Sequence, residues 1–165
     1  MLLAREKAHE AAEAFGRAAE IAERENQAAD AMLARAHRRR ALVLAGEPVD
    51  EALPQHQGNH KPRSALLAYL TADASARLDA SAEIADTLGE VASMAAEMGD
   101  VALERSALEA QARILEGSGR GDAAQAALQR AAVALARLHE KLPIEYRESF
   151  ATHARNEGLQ KHLVA

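Results

Sequence analysis

Val101-Ala102-Leu103-Glu104-Arg105-Ser106-Ala107-Leu108-Glu109-Ala110-Gln111-Ala112-Arg113-Ile114-Leu115-Glu116-Gly117-Ser118-Gly119-Arg120-Gly121-Asp122 reads as one helix followed by a turn. Its apolar residues fall on two helical stripes. One is Leu103, Ala107, Ala110 and Ile114; the other is Val101, Leu108, Ala112 and Leu115. A helix with two apolar faces is expected between two neighbours. The glycine-rich close, Gly117 to Asp122, is a turn, with Asp122 placed to cap the next helix.

Outward from that stretch the same spacing recurs. Helices are expected from Leu3 to Arg24, Ala28 to Ala45, Arg63 to Leu78, Ser81 to Met98 and Ala123 to Leu142. One or two short helices follow Pro143. No Gly or Pro separates Leu78 from Ser81, so residues 63–98 read either as two helices or as one long helix. Residues 46–62, rich in Pro, Gln, Gly and His, form the one loop. The whole chain reads as a single domain, 1–165, with 143–165 as capping helices. About a quarter of the residues are alanine, and aromatic residues are 2%. Alanine favours helix over strand, which makes the fold all-α.

A repeat is visible. Ala19-Glu20-Ile21-Ala22-Glu23-Arg24-Glu25-Asn26 resembles Ala92-Ser93-Met94-Ala95-Ala96-Glu97-Met98-Gly99, 73 positions on. The Gly46 turn then falls on Gly119. Half of that offset, about 36 residues, is the size of a helix-hairpin repeat.

The segments Ala65 to Asp100 and Ala107 to Ala124 resemble a degenerate tetratricopeptide (TPR-like) helical repeat. The tail Leu142 to Phe150 looks like the closing segment of such arrays in large bacterial signalling and transcription regulators. The resemblance implies six to seven helices in antiparallel hairpins, as an α-solenoid or compact helical array. It also implies a non-enzymatic protein–protein interaction scaffold or regulatory module of a bacterial signalling system. In such a stack the first helix of each hairpin lines the groove. That nominates 28–45, 63–78 and 101–116, with Arg35, Arg38, Arg39, Arg105 and Arg113 as partner-binding residues. The family's Trp is absent, and the segment Pro54 to Pro62 interrupts the pattern.

Two alternatives stand beside this reading. One is a homo-oligomerisation module using the stripe Leu128, Leu135 and Leu142; the other is a small-molecule or metal-sensing helical bundle. His37-Arg38-Arg39-Arg40 is the only basic run. Four consecutive helical residues face all sides, so this run either anchors a partner's anion or pairs with Asp30, Glu47 or acids on a neighbouring helix.

Chemistry is harder to find. There is no cysteine, which removes thiol nucleophiles and Cys-ligated metals. His56 and His60 have i, i+4 spacing but no third ligand nearby, and Glu6-Lys7-Ala8-His9 has no second copy to complete a di-iron site. His139-Glu140 ahead of Pro143 is similar to the phospho-accepting box of histidine kinases, but no nucleotide-binding motif accompanies it. Gly117, Gly119 and Gly121 lack the preceding strand of a phosphate loop. No enzyme activity, cofactor or metal is expected. The net charge of −5 argues against nucleic acid, and no apolar run reaches membrane-span length. A cytoplasmic location is expected, with the chain either a piece of a longer protein or a short protein in its own right.

Overall fold

A computed structural model describes residues 2–49 and 61–156, with side chains over 5–49 and 61–150. Among the described residues there are seven helices and no strand: α1 Leu2–Arg24, α2 Ala28–Ala45, α3 Lys61–Leu78, α4 Ala82–Met98, α5 Val101–Gly117, α6 Gly121–Lys141 and α7 Ile144–Asn156. The stretch 63–98 is thus two helices. Ser81 makes the second start, since its hydroxyl accepts the Ile84 amide at 3.3 Å. The chain forms two compact units, Met1–Ala80 and Ser81–Ala165.

Four helix ends share one device. Asn26, Gly46, Gly99 and Gly119 all have positive φ, between 58° and 80°. At each, two amides turn back onto the end of the helix. Asn26 N donates to Glu23 O and Gln27 N to Ala22 O; Gly46 N donates to Val43 O and Glu47 N to Leu42 O. Gly99 and Asp100 bind Ala96 O and Ala95 O, and Gly119 and Arg120 bind Glu116 O and Leu115 O. These are Schellman turns, which need a residue that tolerates the left-handed conformation.

Within the second unit α5 packs against both α4 and α6, which do not pack against each other. The two apolar stripes of α5 predict this. Eight of its residues are buried, including Leu103, Ala107, Leu108 and Leu115. α4 contributes Ala85, Leu88, Ala92 and Ala95; α6 contributes Ala124, Ala127, Ala131, Ala134 and Leu135. Glu104 is buried too, and Arg137 Nη2 of α6 donates to both its oxygens at 2.7 Å.

Asp122 does not cap α6. The turn at Gly119 leads straight into the helix from Arg120, whose carbonyl accepts the Ala124 amide. Asp122 sits instead inside the first turn, where its charge favours the positive helix end. Pro143 holds Leu142 in extended geometry and so ends α6. Arg147 of α7 then donates to the Leu142 and Glu140 carbonyls, at 2.9 and 2.7 Å.

In the first unit α1 and α2 form an antiparallel hairpin. Glu23 pairs with Arg35, Phe15 stacks on His37 and His9 meets Glu47, so contacts advance along one helix as they retreat along the other. α3 runs parallel to α2. Its contacts step the same way on both helices: Asp30 with Arg63 at 3.1 Å, then Arg40 with Asp73 at 2.7 Å. A parallel neighbour needs a long connection, and α2 and α3 are separated by residues 46–60 of the sequence. Ala36, Leu67 and Leu70 form the shared core with Met32, Leu33, Leu66 and Tyr69 around it. Asp73 is fully buried there. Arg40 holds it, and Arg77 on its own helix lies 3.4 Å away. The Arg40 guanidinium also lies 5.9 Å from the Tyr69 ring centre. Burial disfavours the Arg40 charge, but the hydrogen bond and charge of Asp73 outweigh it and hold the guanidinium above its ordinary range.

Two expectations follow for stability. Leu135→Asp buries an unpaired charge and should cost about 3–5 kcal/mol in chemical denaturation. Val133→Asp, at a residue 59% exposed on the same helix, should cost less than about 0.5 kcal/mol. Equal effects would mean that α6 does not pack by this face. At the turns, Asn26→Gly should raise stability by about 0.5 kcal/mol while Gly99→Ala lowers it by about 1 kcal/mol.

Candidate functional site

The α1–α2 hairpin is joined by small residues. Ala12, Ala19 and Ala22 of α1 are buried, as are Ala31, Ala36 and Ala41 of α2. Side chains this short cannot fill the rim of the crossing, so longer polar residues stand there. On one side they enclose an open groove of about 460 Å³, lined by Glu13, Gly16, Arg17, Ala19, Glu20 and Glu23 of α1 and by Arg35 and Arg38 of α2.

Gly16 shapes the floor. A Cβ there would meet Arg38 Nε at 3.5 Å and Cδ at 3.6 Å, ordinary contact distances, so the arginine stem passes over Gly16 with room for a methyl group beneath it. Around it the charges partly cancel. Arg35 is ion-paired with Glu23, and Arg17 reaches Glu13 at 3.9 Å. Arg38 is exposed and makes no ion pair or hydrogen bond among the described residues. The Glu20 carboxylate is likewise exposed and without such a partner; only its backbone carbonyl is engaged, by Arg24.

The same local pattern occurs 73 positions on, with a different outcome. Gly16 corresponds to Gly89 and Arg38 to Gln111. Gln111 lies even closer on its glycine, where a Cβ would sit 2.7 Å from Nε2. Its amide donates to the Ala85 carbonyl at 3.0 Å. At the remaining groove positions α4 and α5 carry Asp86, Glu90, Ala92, Ser93, Ala96 and Leu108, of which Ala92 and Leu108 are fully buried. One hairpin closes this place with an internal hydrogen bond and a leucine. The other leaves it open and charged.

The five nominated arginines divide. Arg35 and Arg38 meet in the groove. Arg39 is half-buried on α2 and is not among the groove's lining residues. Arg105 and Arg113 lie on α5, where Arg105 sits 3.5 Å from Glu109 of its own helix and Arg113 is exposed. The basic run divides as well. Arg40 pairs with a neighbouring-helix acid, as the plainer reading expects. Glu47 instead meets His9, and Asp30 meets Arg63. The whole α1 wall escapes the sequence reading. Gly16 is its one signal, since glycine inside a helix weakens it and needs a packing reason. His56 and His60 lie outside the described residues, and among those described no cluster of three metal-ligating side chains occurs. His139 faces Phe150, with ring centres 6.1 Å apart. No helix described is long and apolar enough to cross a membrane. No protein-family model, curated protein or solved structure matches the chain.

Two histidines report on the hairpin. The Glu47 carboxylate, 2.6 Å from His9 Nδ1, raises the His9 pKa above its ordinary 6.5. Burial lowers that of His37, whose ring stacks on Phe15 at 4.7 Å, and the Arg40 charge adds to the effect. The His9 contact therefore supports the fold fully below pH 6.5 and fades as the pH rises through the raised value. His37 runs the opposite way. Its neutral ring suits the fold above pH 6.5, and stability drains as the pH falls towards the lowered value. Residue-resolved NMR titration should place His9 above 6.5 and His37 below it, and Glu47→Gln should bring His9 alone back down. If both titrated together, neither contact would persist in solution.

Proposed function

We propose that the chain is a non-enzymatic protein–protein interaction module whose docking surface is the groove between α1 and α2. The observation that carries this is the contrast between equivalent places in two hairpins. Where α4 and α5 seal the crossing with Gln111 and Leu108, α1 and α2 hold an open groove that leaves Arg38 and Glu20 exposed and unpartnered among the described residues. An arginine kept open at a crossing that a glutamine fills in the other hairpin is available to a partner's carboxylate, which its paired donors can meet.

The TPR-like resemblance supports the same class of function. α2 and α3 lie parallel, with contacts between residues 33 positions apart, close to the 34-residue period of such repeats. α5, held between α4 and α6, fits hairpins laid side by side. A scaffold role in bacterial signalling, inside the cell, extends this reading. Arg39, Arg105 and Arg113 then belong to other parts of the surface than the groove.

The test is selection from a displayed peptide library against the folded protein. Binders should map to the groove by NMR shift perturbation, with Gly16, Arg35 and Arg38 among the residues that move, and Arg35→Ala combined with Arg38→Ala should weaken them about tenfold or more. If selected binders leave those residues unperturbed, or none emerge, the groove is not a docking surface. Light scattering across a concentration series addresses self-association through Leu128, Leu135 and Leu142. Leu135 is buried and Leu128 and Leu142 are partly buried, which supports a part for that stripe in the packing of α6.

A further inference from the structure

The groove offers one unengaged cation and one unengaged anion among the described residues. Arg38 lies over Gly16, and Glu20 stands one helical turn further along α1. Everything else charged in the lining is at least partly neutralised: Arg35 by Glu23, and Arg17 by Glu13 at longer range. A partner that matched this site with one sign alone would leave a charge facing it unpaired, and such mismatches cost affinity.

We propose that the occupant is a partner helix carrying an acidic and a basic residue one turn apart, the acid for Arg38 and the base for Glu20. This rests on the groove being a docking surface. An acid and a base at i, i+4 on a helix are one turn apart, the same backbone spacing as Gly16, over which the Arg38 stem passes, and Glu20. The guanidinium suits the acid better than an ammonium would, since it presents planar paired donors. The open, charged lining does not suit a small apolar molecule, which would be bound in an enclosed and mostly apolar cavity. Arg35 is not the anchor, because Glu23 already holds it.

The second hairpin provides the variant that separates binding from folding. Arg38→Gln places on Gly16 the residue that already sits on Gly89, with the Ala12 carbonyl corresponding to the Ala85 acceptor of Gln111. Its thermal stability should equal or exceed that of the parent chain. The experiment uses stapled helical peptides drawn from groove-mapped binders, with the acid, the base or both changed to glutamine, measured by fluorescence anisotropy at low and high salt. The full peptide should bind most tightly and weaken with salt. Arg38→Gln should cost about tenfold and remove the effect of changing the acid, while Glu20→Gln should remove the effect of changing the base.

The proposal is overturned if groove-mapped binders lack the charge pair, or if the full peptide binds Arg38→Gln as tightly as the parent chain. In both cases the groove remains a docking surface and only this partner chemistry falls. Failure of every peptide to reach the groove would overturn both. Concentration-dependent dimerisation lost in Arg38→Gln, with no peptide bound, would assign the site to a second copy of the chain and overturn the partner-helix assignment.

Discussion

The close approach of alanine-lined helices is the constraint from which the rest follows. Alanine supplies most of the buried apolar positions, and in α1 the fully buried positions described are alanines alone. Small residues let backbones come near, but each buries little area, so the apolar gain per residue is modest. They also leave the borders of each crossing to be finished by longer side chains. Those borders hold the structure's most specific contacts: Arg40 on Asp73, Arg137 on Glu104, Gln111 on the Ala85 carbonyl, and Arg35 on Glu23.

The buried acids set register more than they add stability. Taking a carboxylate out of water is costly, and an arginine that repays the cost does so only in one geometry. Asp73 is fully buried and gripped by Arg40, with Arg77 nearby on its own helix, so a one-turn slip of α3 along α2 would leave its charge unpaired. Glu104 and Arg137 do the same for α6 on α5. Alanine faces alone would permit such slips, because a surface of identical methyl groups matches itself at several offsets.

The turns were legible in the sequence and the charges were not. Gly46, Gly99 and Gly119 mark helix ends because left-handed geometry is a local demand that glycine meets without help from the rest of the chain. The two stripes of α5 are equally local, and they place it between two neighbours. Asp73 and Glu104 look like ordinary surface acids until the arginine 33 positions away is brought beside each of them. The same holds for the parallel course of α3, which shows only once Arg63 lies beside Asp30 and Asp73 beside Arg40. The groove is the least legible feature. It arises from what α1 and α2 leave unfilled, and a gap has no residue of its own to announce it.

Two hairpins with matching turns and matching helical glycines can still differ in what they expose, and the difference is economical. A glycine inside a helix costs about 1 kcal/mol relative to alanine whatever lies on top of it. In α4 the cost is offset by Gln111, which turns the bare backbone into an internal hydrogen bond. In α1 the same glycine sits beneath an arginine whose donors make no internal bond among the described residues. Replacing a self-satisfied amide by a long cation converts a packing contact into an outward-facing one without disturbing either helix. The alanine core tolerates the exchange because it never depended on that side chain for its packing.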